Sequence, residues 1–211
     1  MSFSEMTLNE LLERFGSSSP TPGGGSAAAL AASVGASLVA MAARLTAGKK
    51  RFADRKKEME AAAGKASGLA SELERLVTED GRAYDGVVQA FRLPKETDEQ
   101  KAERSKAIQE ATKRAAEVPL ETMRKAVECM EAGVAVAARC NPNCVTDAVA
   151  GVLLMGVGVE IAKLNVCINL DSIKDEEYAA RLREELADLS ARGTELGNAV
   201  RLAYNGGLCG K

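Results

Sequence analysis

The architecture turns on Ser17–Gly35, which reads SSSPTPGGGSAAALAASVG. Two prolines and three consecutive glycines run directly into a stretch of alanine and serine with almost no large side chain. Pro and Gly break regular structure, whereas the alanine run is the best of helix formers. The segment therefore reads as a loop, Ser17–Gly25, feeding a helix to about Ala47, with Ser26 placed to cap it. A helix so poor in bulky side chains is useful where its neighbours must approach closely, so it is expected at the centre of a helical bundle. The run from Phe15 to Ala43 has no charge, so a membrane span has to be weighed. Its few larger apolar groups and the breakers beside it favour a buried helix.

The segments on either side extend this picture. Thr7-Leu-Asn-Glu10 matches a capping box for a short helix Leu8–Phe15, stopped by Gly16. A basic turn, Lys49–Lys57, leads into a long helix from about Asp54 to Phe91, which Leu93-Pro94 ends. A polar linker, Lys95–Gln100, precedes a helix to Val118, and Pro119 either kinks it or opens the next, to about Ala138. After a turn at Cys140–Cys144 comes a second small-residue helix, Val145–Asn169. Asp175 is placed to cap the last, Glu176–Tyr204, and Asn205–Lys211 reads as a frayed tail. No segment alternates as a half-buried strand does. The 211 residues are thus expected to form one all-α domain, a bundle of long helices with small-residue packing faces. More small-residue surface than one bundle can cover implies a homodimer.

Composition narrows the chemistry. The chain has no histidine, so His-ligated metal sites and histidine-based nucleophile systems are excluded, and proton transfer falls to a carboxylate, Lys, Cys or Tyr. A net charge of −2 gives no global attraction to nucleic acid. No signal peptide opens the chain, and five scattered cysteines fit free thiols in a reducing cytoplasm. Cys140 and Cys144 have no second pair at ligand spacing, so no metal is expected.

Several side chains stand out. Along the long helix the apolar stripe steps Leu73, Val77, Asp80, Tyr84, Val87, Phe91, placing Asp80 where an apolar residue belongs. Burial would raise its pKa toward the range of a general acid or base, and an interior salt bridge or a wet dimer seam would explain it equally. The peptide groups of Gly23, Gly24, Gly25 and Ser26, at a helix start without side chains in the way, suit an anion or a polar ring edge, or simply a close turn. Lys50 belongs to a basic cluster, Arg44–Lys57, that could meet carboxylates or phosphates, or be a solvated turn. Asn165 and Asn169, one turn apart among apolar neighbours, need partners from backbone or from a heterocycle.

In order along nearly the whole chain, PTPGGGSAAALAASVGASLVAMAARLT (Pro20–Thr46), GKKRF (Gly48–Phe52), DGRAY (Asp80–Tyr84), RLPKET (Arg92–Thr97), VPL (Val118–Leu120), CNPNCVTDA (Cys140–Ala148) and LNVCINL (Leu164–Leu170) resemble the formimidoyltetrahydrofolate cyclodeaminase and methenyltetrahydrofolate cyclohydrolase family. Cys140 departs from the glycine common there. The resemblance implies an all-helical domain that acts on a tetrahydrofolate derivative as substrate, without a metal, in a groove at a dimer contact. It sets Asp80 at the family's catalytic aspartate. Gly23–Ser26 would then hold the pterin or the reacting carbon, Lys50 the glutamate carboxylates of a folate, polyglutamylated or not, and Asn165 or Asn169 the pterin edge. Hydrolysis of 5,10-methenyltetrahydrofolate to 10-formyltetrahydrofolate is the expected reaction, because no formiminotransferase segment accompanies the domain. The alternative is cyclodeamination of 5-formimidoyltetrahydrofolate with release of ammonia. A non-catalytic folate- or polycarboxylate-binding oligomer is more distant.

Overall fold

A computed structural model of the protein describes residues 3–207. Six α-helices carry the chain: α1 (Leu8–Phe15), α2 (Gly24–Ala47), α3 (Lys56–Phe91), α4 (Asp98–Arg139), α5 (Val145–Leu170) and α6 (Glu176–Gly207). Short 3-10 turns cover Phe3–Glu5, Lys50–Arg55 and Pro142–Cys144, and no strand occurs among the described residues. Cys209 and the last residues of the expected tail lie outside that range, whereas Asn205–Gly207 continue α6.

The all-α expectation holds, and α2 is the central helix. Ala28, Ala29, Ala32 and Ala36 are fully buried, because α3 and α5 press on its two sides. Small residues permit that approach. A Cβ on Gly35 would lie 2.5 Å from the Gly151 carbonyl, and one on Gly158 2.8 Å from that of Ala28. No described glycine has a positive φ, so these glycines supply room rather than unusual backbone geometry. α3 and α5 both run antiparallel to α2. α6 runs parallel to α4 and is fastened to it by Lys113–Asp175, Arg124–Glu185 and Arg192–Glu131 ion pairs.

Both outer capping boxes form as their sequences demand, Thr7 with Glu10 and Thr97 with Gln100. Asp175 caps α6, accepting from the Tyr178 amide at 3.1 Å. The basic turn is a 3-10 segment that ends at Arg55, so α3 starts at Lys56, later than its composition suggests. Pro119 begins no new helix: α4 runs through it as one element of 42 residues. Proline cannot donate to the carbonyl four residues back, that of Ala115. Asn169 Nδ2, reaching across from α5, donates to that carbonyl at 3.1 Å.

Two faces remain uncovered. On α2, Val34 and Leu45 are each 46% exposed, and on α5 Leu164 and Ile168 are 68% and 70% exposed. By length and composition alone α2 and the Pro142–Leu170 segment are apolar enough to cross a membrane, with mean hydropathies of 1.7 and 1.8.

Candidate active site

The site begins with the loop that α1 delivers. The Thr21 carbonyl accepts from Arg14 Nε at 3.2 Å and from Ser19 Oγ at 2.9 Å, which fixes the chain just before the glycines. Gly23 is the N-cap of α2, so the helix starts two residues before Ser26. Ser26 therefore does not cap it. The side chain is fully buried in the first turn, and its hydroxyl donates to Asp80 Oδ2 at 2.9 Å.

Gly25 faces the same carboxylate. A Cβ there would sit 2.0 Å from Asp80 Oδ1 and 2.6 Å from Cγ, so any side chain at this position would evict the acid. Beside it, a Cβ on Gly24 would approach Asn165 Nδ2 to 3.2 Å. The first turn of α2 is thus open on two sides, receiving an acid from α3 and an amide from α5. Phe3 closes the floor: its amide donates to Thr78 Oγ1 at 2.8 Å, and its ring lies where a Cβ of Gly81 would be.

Desolvation raises the Asp80 pKa above its ordinary 3.8, and the hydroxyl and peptide N–H of Ser26 pull it part of the way back. No Lys or Arg among the described residues reaches ion-pairing distance of this carboxylate. Its neighbour Glu79, by contrast, is held by Arg75 and by Arg114, the latter at 2.9 Å. An interior salt bridge is therefore not the reason for the acid. A half-buried carboxylate at a helix N-terminus, with one oxygen hydrogen-bonded and no counter-charge, is suited to taking up and returning a proton.

The stripe used to find Asp80 does not continue as expected. Tyr84 is 43% exposed and Phe91 55%, because α3 outruns the N-terminus of α2 beyond Gly81 and this face of it loses that helix as a packing partner. Asp80 thus stands at the end of the buried stripe, where a groove can open.

The other expected site residues separate. Asn165 touches the glycine turn; its Nδ2 donates to the Ile161 carbonyl at 2.9 Å, and no described protein donor reaches its Oδ1. Asn169 spends its amide nitrogen on backbone carbonyls, those of Ala115 and of Asn165 at 2.7 Å. Lys50 lies past the other end of α2, about 36 Å of helix away. There it lines a cleft of about 700 Å³ with Arg44, Lys49 and Lys56. Asp80 is not among the residues that line this cleft. Burial pushes the Cys129 thiol up to about 12 and Cys140 up to about 11, which makes both poor nucleophiles.

Fold and site together define an all-helical protein that presents an acid without an ion-pair partner among the described residues at the glycine-opened start of its central helix. A family model described as formiminotransferase-cyclodeaminase matches residues 7–188, and the chain belongs to that family. It is 38% identical to the methenyltetrahydrofolate cyclohydrolase of Methylorubrum extorquens, over 92% of this chain and 93% of that one. It is 31% identical to the formimidoyltransferase-cyclodeaminase of Sus scrofa, where the match takes in 86% of this chain but 34% of the longer protein. The crystal structure of formiminotetrahydrofolate cyclodeaminase from Thermotoga maritima superposes with a TM-score of 0.86 at 26% identity, covering 96% of this chain and 97% of that chain.

Proposed function

We propose that the protein is a cytoplasmic, homodimeric folate one-carbon enzyme that hydrolyses 5,10-methenyltetrahydrofolate to 10-formyltetrahydrofolate, with Asp80 as its proton carrier. The observation that carries this reading is the unpaired Asp80 carboxylate against Gly25 and Ser26. The methenyl carbon is cationic and bonded to N5 and N10, so water adds to it readily once a base removes a proton. Asp80 takes that proton as the C–O bond forms, giving a neutral tetrahedral carbon. It then returns the proton to N5 as the C–N5 bond breaks, and the hydroxyl proton leaves to solvent as the formyl group forms on N10. The side-chain oxygen Oδ1 of Asn165 would accept from a pterin N–H, and the Ser26 peptide N–H already faces the Asp80 carboxylate.

Similarity to a cyclohydrolase along nearly the full length of both chains favours hydrolysis. The cyclodeaminase likeness supports a second reaction, in which N10 attacks the carbon of the protonated formimidoyl group and gives its proton to Asp80, which returns it to the leaving nitrogen as the C–N bond breaks and ammonia departs. Purified protein incubated with each folate separates the two. Loss of methenyl absorbance above the spontaneous rate is expected, and ammonia release from 5-formimidoyltetrahydrofolate without methenyl turnover would reverse the assignment. Asp80→Asn should lower turnover about 100-fold or more while leaving the fold intact. If turnover survives, the proton-carrier reading is wrong.

A further inference from the structure

Phe3 is buried although it is the third residue of the chain, and its grip on α3 is double. Its amide donates to Thr78 Oγ1 at 2.8 Å, just before Asp80. Its ring covers Gly81, just after Asp80: a Cβ there would lie 2.7 Å from Phe3 Cε2 and 3.2 Å from Cζ. The same hollow admits the loop that becomes the glycine turn, since that Cβ would lie 3.7 Å from Thr21 Cβ. Thr21 and Pro22 are buried there. Phe3 thus adjoins both the turn of α3 that carries Asp80 and the loop that delivers Gly23–Ser26. Little else presses that loop onto α3. Between Phe3 and Thr21, α1 buries Leu11 and leaves Leu8 and Leu12 exposed. The bonds from Arg14 and Ser19 to the Thr21 carbonyl arise within the same segment, so they shape the loop without placing it on the helix.

We propose that Phe3 is a positioning residue of the active site, a wedge over Gly81 that fixes the spacing between the Asp80 carboxylate and the first turn of α2. The catalytic consequence rests on the function proposed above; the mechanical coupling does not. Asp80 stands where the α2–α3 contact runs out, so the packing of the helix bodies secures it from one side, and Phe3 supplies the other. A close-packed contact yields little, which is what the 2.9 Å bond between Ser26 Oγ and Asp80 Oδ2 requires. A displacement of about 1 Å at a proton carrier can cost on the order of 100-fold in rate. Phe3 precedes residues 7–188, so the family match assigns it no part.

The test compares Phe3→Ala, Phe3→Leu and Gly81→Ala with the wild type, each tagged at the C-terminus so that the first residues stay native. Phe3→Ala empties the hollow, so kcat should fall about tenfold or more while KM stays within about twofold. Amides of residues 27–30, the first hydrogen-bonded turn of α2, should exchange about tenfold faster, and those in the middle of α5 should not. Phe3→Leu keeps apolar bulk and should recover most of kcat. Gly81→Ala favours the helix by propensity, but its methyl group displaces the ring, so kcat should fall about tenfold without a matching loss of thermal stability. In the Phe3→Ala background the same methyl group enters vacant space and should cost nothing further. Losses that add in the double variant, or a Phe3→Ala chain with wild-type kcat, overturn the positioning role. A rise in KM at unchanged kcat overturns it too, by assigning Phe3 to binding. Unchanged exchange at residues 27–30 overturns the coupling. A fully active Asp80→Asn chain would instead overturn the function and the catalytic consequence with it, and the exchange measurement alone would then decide the coupling.

Discussion

At the scale of single residues, the pair Asp80–Ser26 bears on both stability and the proposed proton transfer. The Asp80 pKa is raised in the folded state, so between its ordinary 3.8 and that higher value the folded protein binds more protons than the unfolded chain. The stabilising term is therefore fully present below 3.8 and is lost as pH rises through the folded pKa. Asp80→Asn should accordingly be more stable than the wild type at neutral pH, by on the order of 1 kcal/mol, while nearly inactive. Urea melts across pH should find that gain shrinking toward acid pH. A variant equally stable at every pH would show that Asp80 is not strained by burial. Ser26 acts in the other sense, since its donated hydrogen bonds favour the ionised acid. Ser26→Ala should therefore shift the acid limb of kcat/KM to higher pH with little change in helicity. An unmoved limb would assign that limb to a different group.

At the scale of elements, α4 and α5 depend on each other through Pro119. The Ala115 carbonyl, denied its helical donor, takes one from Asn169 Nδ2. Removing the amide leaves a buried acceptor unpaired, so Asn169→Ala should cost about 1–3 kcal/mol. In a Pro119→Ala background residue 119 regains an N–H, and the same substitution should cost about 1 kcal/mol less. Additive costs in a double-mutant cycle would separate the two features. This coupling was not legible in the sequence, where Asn169 reads equally as a ligand to a heterocycle. It depends on which turn of α5 passes Ala115. Ser26 was misread for a related reason: a serine one residue after three glycines has the signature of an N-cap, and only the position of α3 diverts its hydroxyl to Asp80. Asp80 itself was legible, since a charge in an apolar period is visible without coordinates. The stripe beyond it was not, because periodicity cannot tell where a neighbouring helix stops.

At the scale of the whole molecule, the all-α class and the central small-residue helix followed from composition and periodicity, but the distance between Lys50 and Asp80 did not. Both residues adjoin α2 in sequence or in space, and only the helix length reveals that they sit at opposite poles. A single subunit thus has the Asp80 carboxylate at one end of α2 and a cluster of cations at the other, with an apolar face of α2 between. Leu38 lies midway along that face, and a homodimer that buries the face would bring like charges from two copies together there. Leu38→Arg should therefore leave α2 folded, because Leu38 is only partly buried and Arg is a good helix former. It should weaken association about 100-fold or more and lower turnover, since the resemblance sets the site in a groove at a dimer contact. Leu202→Arg supplies the comparison: that leucine is 74% exposed on α6, and its replacement should change neither mass nor activity. Gel filtration with light scattering, circular dichroism and the methenyl assay on the same samples distinguish the outcomes. A monomeric Leu38→Arg chain that still turned over substrate would show that each subunit builds its site alone, and the cationic pole would then need a different ligand.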